Sequence, residues 1–428
     1  MIRPLTLLSL ALCLLAPPAW SLSIDCGRVL DVQTGRWLER QTLSVAEGRI
    51  RAIDPWPASF EGERIDLREL SCLPGLIDLH VHLTSETAPQ AEAFREALQG
   101  GAVDAAYESV PWARRTLEAG FTTVRDLGSS EGLGVALKRA IAAGHVVGPR
   151  MMVSGKSIAT TGGHADPTNS LGPRLARALG VPGPIDGVID SPEQARQAVR
   201  ARYKEGADLI KITATGGVLS QAASGQNAQF TEAELAAIVS TARDYGFKVA
   251  AHAHGAEGMK RALRAGVDTI EHGTFMDEET LQLFRKTGAW YVPTVSAGKF
   301  VGEKSRDPHY YSPIVRPKAA AVGPQIQSTL ARAWKAGVKI AFGTDAGVFP
   351  HGENAREFVY MVEAGMPPLE ALRAATLHAA EALGQAQTLG RLAPGYAADL
   401  VAVEGDPLAD IARLQAPRAV IQGGRRVR

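Results

Sequence analysis

Leu76-Ile77-Asp78-Leu79-His80-Val81-His82 is an apolar run of strand length that ends in two histidines, two residues apart. Side chains two apart on a strand share a face, so His80 and His82 point the same way. Seven further runs of similar character follow: Phe121–Asp126, Arg150–Ser154, Asp208–Thr213, Phe247–Ala253, Asp268–His272, Trp290–Thr294 and Val338–Gly343. Amphipathic helical stretches lie between most of them, among them Ser191–Glu205, Thr231–Tyr245 and Gln327–Ala336. Thr231 opens its stretch as T-E-A-E, close to a capping box. Strands that alternate with helices and are apolar on both faces imply a parallel sheet. Eight repeats of the unit predict an α/β fold of the (β/α)8 barrel type.

Outside this region the character changes. Residues 22–72 hold short β-rich runs at Cys26–Val32 and Gln41–Ala46. Leu389–Glu404 and Arg418–Arg428 are again strand-like, with turns at Pro394-Gly395 and Gly423-Gly424. The two ends are expected to pair as a small β-sandwich, with the barrel inserted between them. The expected organisation is a leader at 1–21, sandwich at 22–72, barrel at 73–385 and sandwich again at 386–428.

Composition excludes several classes. The 428 residues are 45% hydrophobic and 21% charged, an ordinary globular balance. Lys plus Arg number 46 against 45 Asp plus Glu, so no basic footprint for nucleic acid exists. Met1–Ser21 has Arg3, an apolar run from Leu5 to Leu15, and Ala19-Trp20-Ser21 as a small-x-small site. That pattern predicts a signal peptide cleaved near Ser21, and a secreted or periplasmic protein. The run is shorter than the ~20 residues that span a bilayer, so no stable membrane anchor is expected. Export leaves Cys26 and Cys72, for which a disulfide and two buried thiols both stay open.

The barrel places its active site at the C-terminal ends of the strands. There the sequence has His80 and His82, Lys211, His252 and His254, His272, and Asp345. One histidine at a strand end is usually a satisfied core group. Five with an aspartate suit zinc or a similar divalent metal, against the alternative of a hydrogen-bonded polar plug. A buried lysine is costly without a partner, yet its neutral amine can react with CO2. The resulting carbamate can bridge two metals. A plainer reading pairs Lys211 with Asp208 or Glu205.

These residues together resemble the amidohydrolase superfamily. The segments are PGLIDLHVHL (Pro74–Leu83), Lys211, His252, EHG (Glu271–Gly273), GTDAG (Gly343–Gly347) and GRLAPGYAADLVAVEGDPLADI (Gly390–Ile411). The resemblance implies two divalent metals. His80, His82, Lys211 and Asp345 would hold one, and Lys211, His252 and His272 the other, with carboxylated Lys211 shared. His254 is left to touch substrate. Gly255 stands where deaminases of the superfamily carry an acid, and Lys211 is absent from imidazolonepropionases.

SGKSIATTGGHAD (Ser154–Asp166) and KITATGGVLS (Lys211–Ser220) are similar to the Xaa-Pro-type dipeptidase and ochratoxinase-like carboxypeptidase branch. That branch implies hydrolysis of an amide bond to a C-terminal amino acid, with ochratoxin, a phenylalanine amide, among the substrates. His164 is then placed at the substrate, or else it is a loop histidine holding backbone. Asp345 would take the proton of the attacking water and pass it to the leaving amine, with His254 or His164 at the oxyanion. The resemblance also implies a homo-oligomer acting on a small amide or dipeptide. The alternatives are an imidazolonepropionase-like or other cyclic-amide or lactone hydrolase, and an inactive binding protein on the same barrel. His145, His309, His351 and His378 are assigned no role.

Overall fold

The computed structural model describes residues 22–56, 62–169 and 171–428. The leader expected at Met1–Ser21 lies outside the described residues. Strands β1 (Leu22–Asp31), β2 (Arg36–Ala46), β3 (Arg49–Pro55) and β4 (Glu63–Pro74) open the chain. A parallel three-stranded sheet follows: β5 (Leu76–Val81), β6 (Phe121–Asp126) and β7 (Arg150–Val153). The pair β8 (Ala159–Thr160) and β9 (Val188–Ile189) precedes a parallel four-stranded sheet. Its strands are β10 (Ile210–Thr213), β11 (Val249–Gly255), β12 (Thr269–Phe275) and β13 (Trp290–Val292). Last come β14 (Leu400–Val403), β15 (Ala419–Gln422) and β16 (Arg425–Arg426).

Every residue of β5, β6, β10 and β13 is buried, as expected for strands covered on both faces. The helices between them cap where the sequence indicates. Ser191 accepts from Gln194 N ahead of the helix Pro192–Glu205, and Thr231 and Glu234 form a capping box ahead of Glu232–Asp244. The helix expected from Gln327 instead runs over Arg316–Lys335. Gly323-Pro324 reads as a breaker, yet tertiary contact overrides it. A Cβ on Gly323 would stand 2.9 Å from the Cα of Gly302, so the helix Val295–Lys304 packs backbone to backbone against it. Among the described residues, no helix is long and apolar enough to cross a membrane.

Two expectations need correction. Val338–Gly343 forms no regular strand; it contributes the isolated parallel bridge Tyr291–Ile340, and Ala346 bridges to Val81. The chain departs from strand geometry here for two reasons. A Cβ on Gly343 would meet Val292 Cγ1 at 2.3 Å, and Asp345 takes φ +62°. Its backbone stays tied to β5: Leu79 N donates to Phe342 O at 3.0 Å and Asp345 N to His80 O at 2.7 Å. A third bridge, Ile158–Ile212, runs between the chain after β7 and β10.

The second correction concerns the chain ends. They do pair, but as one seven-stranded sheet in the order β16-β15-β14-β4-β1-β2-β3 rather than as a sandwich resolved into two sheets. The reason is the length of β4. It runs parallel to β1 through Cys72 and antiparallel to β14 over Ser71–Pro74, so one strand joins both groups. Cys26 and Cys72 are disulfide-bonded across β1 and β4, with Cα atoms 6.1 Å apart. The pair lies in an apolar cluster with Ile24, Leu43, Leu67 and Leu400.

Candidate metal centre

Strand ends and the loops beyond them bring the expected residues to one cavity of about 210 Å³. His80, His82, His164, Lys211, His252, His254, His272 and Asp345 all line it. The structure therefore brings together every residue singled out for metal or substrate. His145, His309, His351 and His378 lie outside that lining. His351 is buried but spends Nε2 on Ser85 O.

His80, His82 and Asp345 offer ligand atoms within 4.8 Å of one another. Their hydrogen bonds test whether a cation fits. His82 Nδ1 lies 3.0 Å from Gly128 O, and His80 Nδ1 lies 3.0 Å from Glu271 Oε2. A carbonyl or carboxylate oxygen only accepts, so in both rings Nδ1 carries the proton and Nε2 a lone pair. Those lone pairs sit 3.3 and 3.2 Å from Asp345 Oδ1. Asp345 Oδ1 is buried and hydrogen-bonded to nothing among the described residues. Two imidazole lone pairs facing an unpartnered carboxylate oxygen, with Lys211 Nζ, 3.3 Å from His80 Nε2, as the donor beside them, is an arrangement a divalent cation relieves.

Electrostatics agree except at His82: against the effect of burial, the Asp345 carboxylate raises it above the ordinary imidazole value. Burial, then the Lys211 charge, lowers His80 to about 4, and burial lowers His254 to about 3. Burial also pushes His252 and His272 well down, so these rings are neutral at neutral pH, as ligands must be. Burial opposes ionisation of Asp345, but the cationic forms of its neighbours His80, His82 and Lys211 hold its carboxyl at about 2.

Lys211 has neither acid partner that the plainer reading supplied. Asp208 pairs with Lys138 at 2.5 Å and Glu205 with Arg202 at 2.9 Å. Lys211 Nζ instead lies 3.3 Å from His80 Nε2, and burial lowers its ammonium to about 8. The ring centroids of His252 and His272 are 4.7 Å apart, and those of His80 and His272 5.0 Å. His252 donates Nε2–H to Gly216 O at 3.1 Å, which frees Nδ1 as its lone pair. His272 is fixed by a 2.7 Å bond from Nδ1 to Thr294 Oγ1. His254 Nδ1 is 2.8 Å from Thr274 Oγ1, and its ring stacks on His272 at 5.0 Å. His164 lies 4.4 Å from His252, with a buried Nδ1 that has no partner among the described residues. A Cβ on Gly217 would enter the His164 ring at 2.2 Å, so this loop glycine is required for the histidine to sit where it does.

Sequence reasoning missed the layer beneath. Arg125, buried in β6, donates to Leu79 O, to Thr269 Oγ1 and, at 2.9 Å, to Glu271 Oε1. Glu271 in turn orients His80. Burial works against the Glu271 charge, yet Arg125 and His80 hold it at about 2. Asp78 accepts from His80 N, Thr344 N, Thr344 Oγ1 and Asn354 Nδ2, so it couples β5 to the segment carrying Asp345. Charged residues inside otherwise apolar strands were the available signal at positions 78, 125 and 271.

The model of the amidohydrolase family matches residues 72–427. Ochratoxinase of Aspergillus niger is 35% identical over 365 residues, spanning 81% of this chain and 73% of that protein. Among solved structures, a Xaa-Pro dipeptidase with methionine bound in its active site is 48% identical. It has a TM-score of 0.91 and covers 95% of this chain and 99% of its own. The structure of A. niger ochratoxinase has a TM-score of 0.81 at 30% identity, with 95% of both chains covered.

Proposed function

The chain belongs to the amidohydrolase family and is a hydrolase of amide C–N bonds; from this premise we propose that it releases a C-terminal amino acid from a dipeptide or N-acyl amino acid with the help of two divalent metal ions. The observation that carries the reading is the meeting of His80 Nε2 and His82 Nε2 with the unpartnered Asp345 Oδ1 beside Lys211. His80, His82 and Asp345 would hold the first ion, and His252 and His272 the second. Lys211, carboxylated by CO2 as its lowered pKa favours, would serve both. Zinc fits imidazole and carboxylate ligands in this number. When bound, such ions acidify water and polarise a carbonyl.

The chain's own residues do the rest. Asp345 accepts the proton of the water that attacks the amide carbon. It returns that proton to the nitrogen as the C–N bond breaks, so a general base becomes the general acid. His254 and His164 hold the substrate oxygens, His164 with its unpartnered Nδ1. We read the two parallel sheets and residues 338–346 as one closed (β/α)8 barrel, supported by the three bridges between them. Export is part of the proposal, supported by the leader-like residues 1–21 and by the Cys26–Cys72 bond.

The test is a hydrolysis screen of dipeptides varied at the C-terminal residue, with ochratoxin and lactones included, on wild type and Asp345→Asn. Cleavage of the carboxylate-bearing amides with loss of kcat in the variant supports the proposal. Full activity in Asp345→Asn, or turnover of lactones alone, overturns it.

A further inference from the structure

Part of the cavity wall is the loop that follows β10. The loop leaves the barrel at Thr215 and returns at Ala228, where the two residues form an isolated antiparallel bridge. Between them Val218 and Leu219 line the cavity, and Gly217 lies hard against the ring of His164. This part of the chain has little to hold it in place. Among the described residues, 217–225 neither donate nor accept a backbone–backbone hydrogen bond. Ser220 Oγ bonds Gly217 O at 3.1 Å within the loop, and Ser312 Oγ reaches Gln221 Oε1 at 3.0 Å.

The main anchor is one ammonium. Lys318 Nζ donates to the carbonyl oxygens of Gly217, Ser220 and Ala222 at 3.1, 2.6 and 2.7 Å. An ammonium has three N–H donors and no acceptor, so all three are spent on this loop. Lys318 is half-buried and has no carboxylate partner among the described residues. Bonds from a charged donor are stronger than neutral ones, so they gather carbonyls that no backbone N–H meets. The helix that carries Lys318, Arg316–Lys335, is itself tied to the metal centre. Thr329 Oγ1 donates to Thr274 O at 2.7 Å, two residues beyond His272 on β12. The same helix packs at Gly323 on Val295–Lys304, and Thr294, just before that second helix, bonds His272. Lys318 therefore refers the loop to the scaffold that places His272.

We propose that Lys318 is a positioning residue for amide hydrolysis: its ammonium holds the loop 216–227 closed against the metal centre, so that His164, Val218 and Leu219 meet the substrate in one fixed geometry. Lys318 does not line the cavity and acts only through the loop. The inference rests on the amide-hydrolysis reading above and adds the residue that keeps its site closed.

The experiment compares wild type, Lys318→Met and Lys318→Cys, the last before and after alkylation with 2-bromoethylamine, which rebuilds an ammonium at the reach of lysine. Wild type treated alongside is the control, since Cys26 and Cys72 are bonded to each other. KM and kcat are measured on the dipeptides of the screen above, and metal content by elemental analysis. A misplacement of about 1 Å can cost about 100-fold, so Lys318→Met is expected to lower kcat/KM by about 10- to 100-fold, chiefly through KM, at wild-type metal content. KM does not depend on how much of the sample is folded. Alkylated Lys318→Cys should recover most of the loss. A second readout needs no turnover. Chymotrypsin cleavage after Leu219, followed by mass spectrometry, should quicken at least about tenfold in Lys318→Met and slow again on alkylation of Lys318→Cys, because cleavage tracks the open population. An unchanged KM in Lys318→Met overturns the proposal, as does loss of metal or a failure of alkylation to restore KM. Those outcomes leave amide hydrolysis standing. If wild type turns over no dipeptide, the broader function is refuted instead; cleavage after Leu219 then still decides whether Lys318 holds the loop, and equal rates overturn that.

Discussion

Replacing Glu271 by Gln keeps the shape of the side chain and removes its charge from beneath His80. Glu271 is fully buried and joins Arg125 to His80. A carboxylate held at about 2 instead of its ordinary 4.5 is stabilised by about 3 kcal/mol at neutral pH. Breaking a buried pair by removing one partner typically costs about 3–5 kcal/mol, which agrees. The sign follows from the depressed folded-state pKa. The contribution is complete above the unfolded value near 4.5 and is lost as pH falls through about 2. Glu271→Gln should therefore lower the urea midpoint at pH 7 by the equivalent of about 3 kcal/mol, with an unchanged slope. It leaves the buried Arg125 guanidinium with neutral acceptors only, Leu79 O, Thr269 Oγ1 and the new amide oxygen. Adding Arg125→Met removes that stranded charge, so the double variant should be more stable than Glu271→Gln alone. Because Glu271 also sets the tautomer of His80, competition with a chelator should show divalent metal bound about 10–100-fold more weakly. A loss below about 1 kcal/mol together with unchanged metal affinity would refute the account of a charged strut under His80.

Three other outcomes are expected. Cys26→Ala/Cys72→Ala opens a link spanning 46 positions and should cost about 4 kcal/mol, read by denaturant unfolding; thiol titration of unreduced, denatured wild type should find neither cysteine free. Gly217→Ala drives a methyl into the His164 ring, so it should raise KM or lower kcat while metal content stays at the wild-type value, measured by elemental analysis. Burial raises Glu357 to about 7, so metal-free protein should lose stability as pH rises from about 4.5 through 7; Glu357→Gln should flatten that slope, and an unchanged slope would show that the carboxyl is ionised throughout.

Much of the site was legible because its chemistry is local. His80 and His82, and His252 and His254, share faces through the two-residue strand period, and that period is visible in a bare sequence. The layer beneath them was not. Arg125, Thr269 and Glu271 lie on two strands 144 to 146 positions apart, and nothing local says that one guanidinium will reach both partners. The Arg316–Lys335 helix was misjudged for a related reason. Gly323 and Pro324 weaken a helix in isolation, and only the face of Val295–Lys304 makes a glycine there useful.

By itself, then, the amino-acid order determined the alternation of strand and helix, the caps at Ser191 and Thr231, and which side chains can bind a cation. These depend on periodicity and side-chain chemistry, which act over a few residues. Tertiary structure alone decided three other matters. It made Val338–Gly343 an irregular passage, because Gly343 must slip under Val292 and Asp345 must turn back to His80. It merged both chain ends into one sheet, because β4 is long enough to pair on both sides. It also brought the successive helices Val295–Lys304 and Arg316–Lys335 backbone to backbone, because they touch at Gly302 and Gly323, where neither has a side chain to hold them apart.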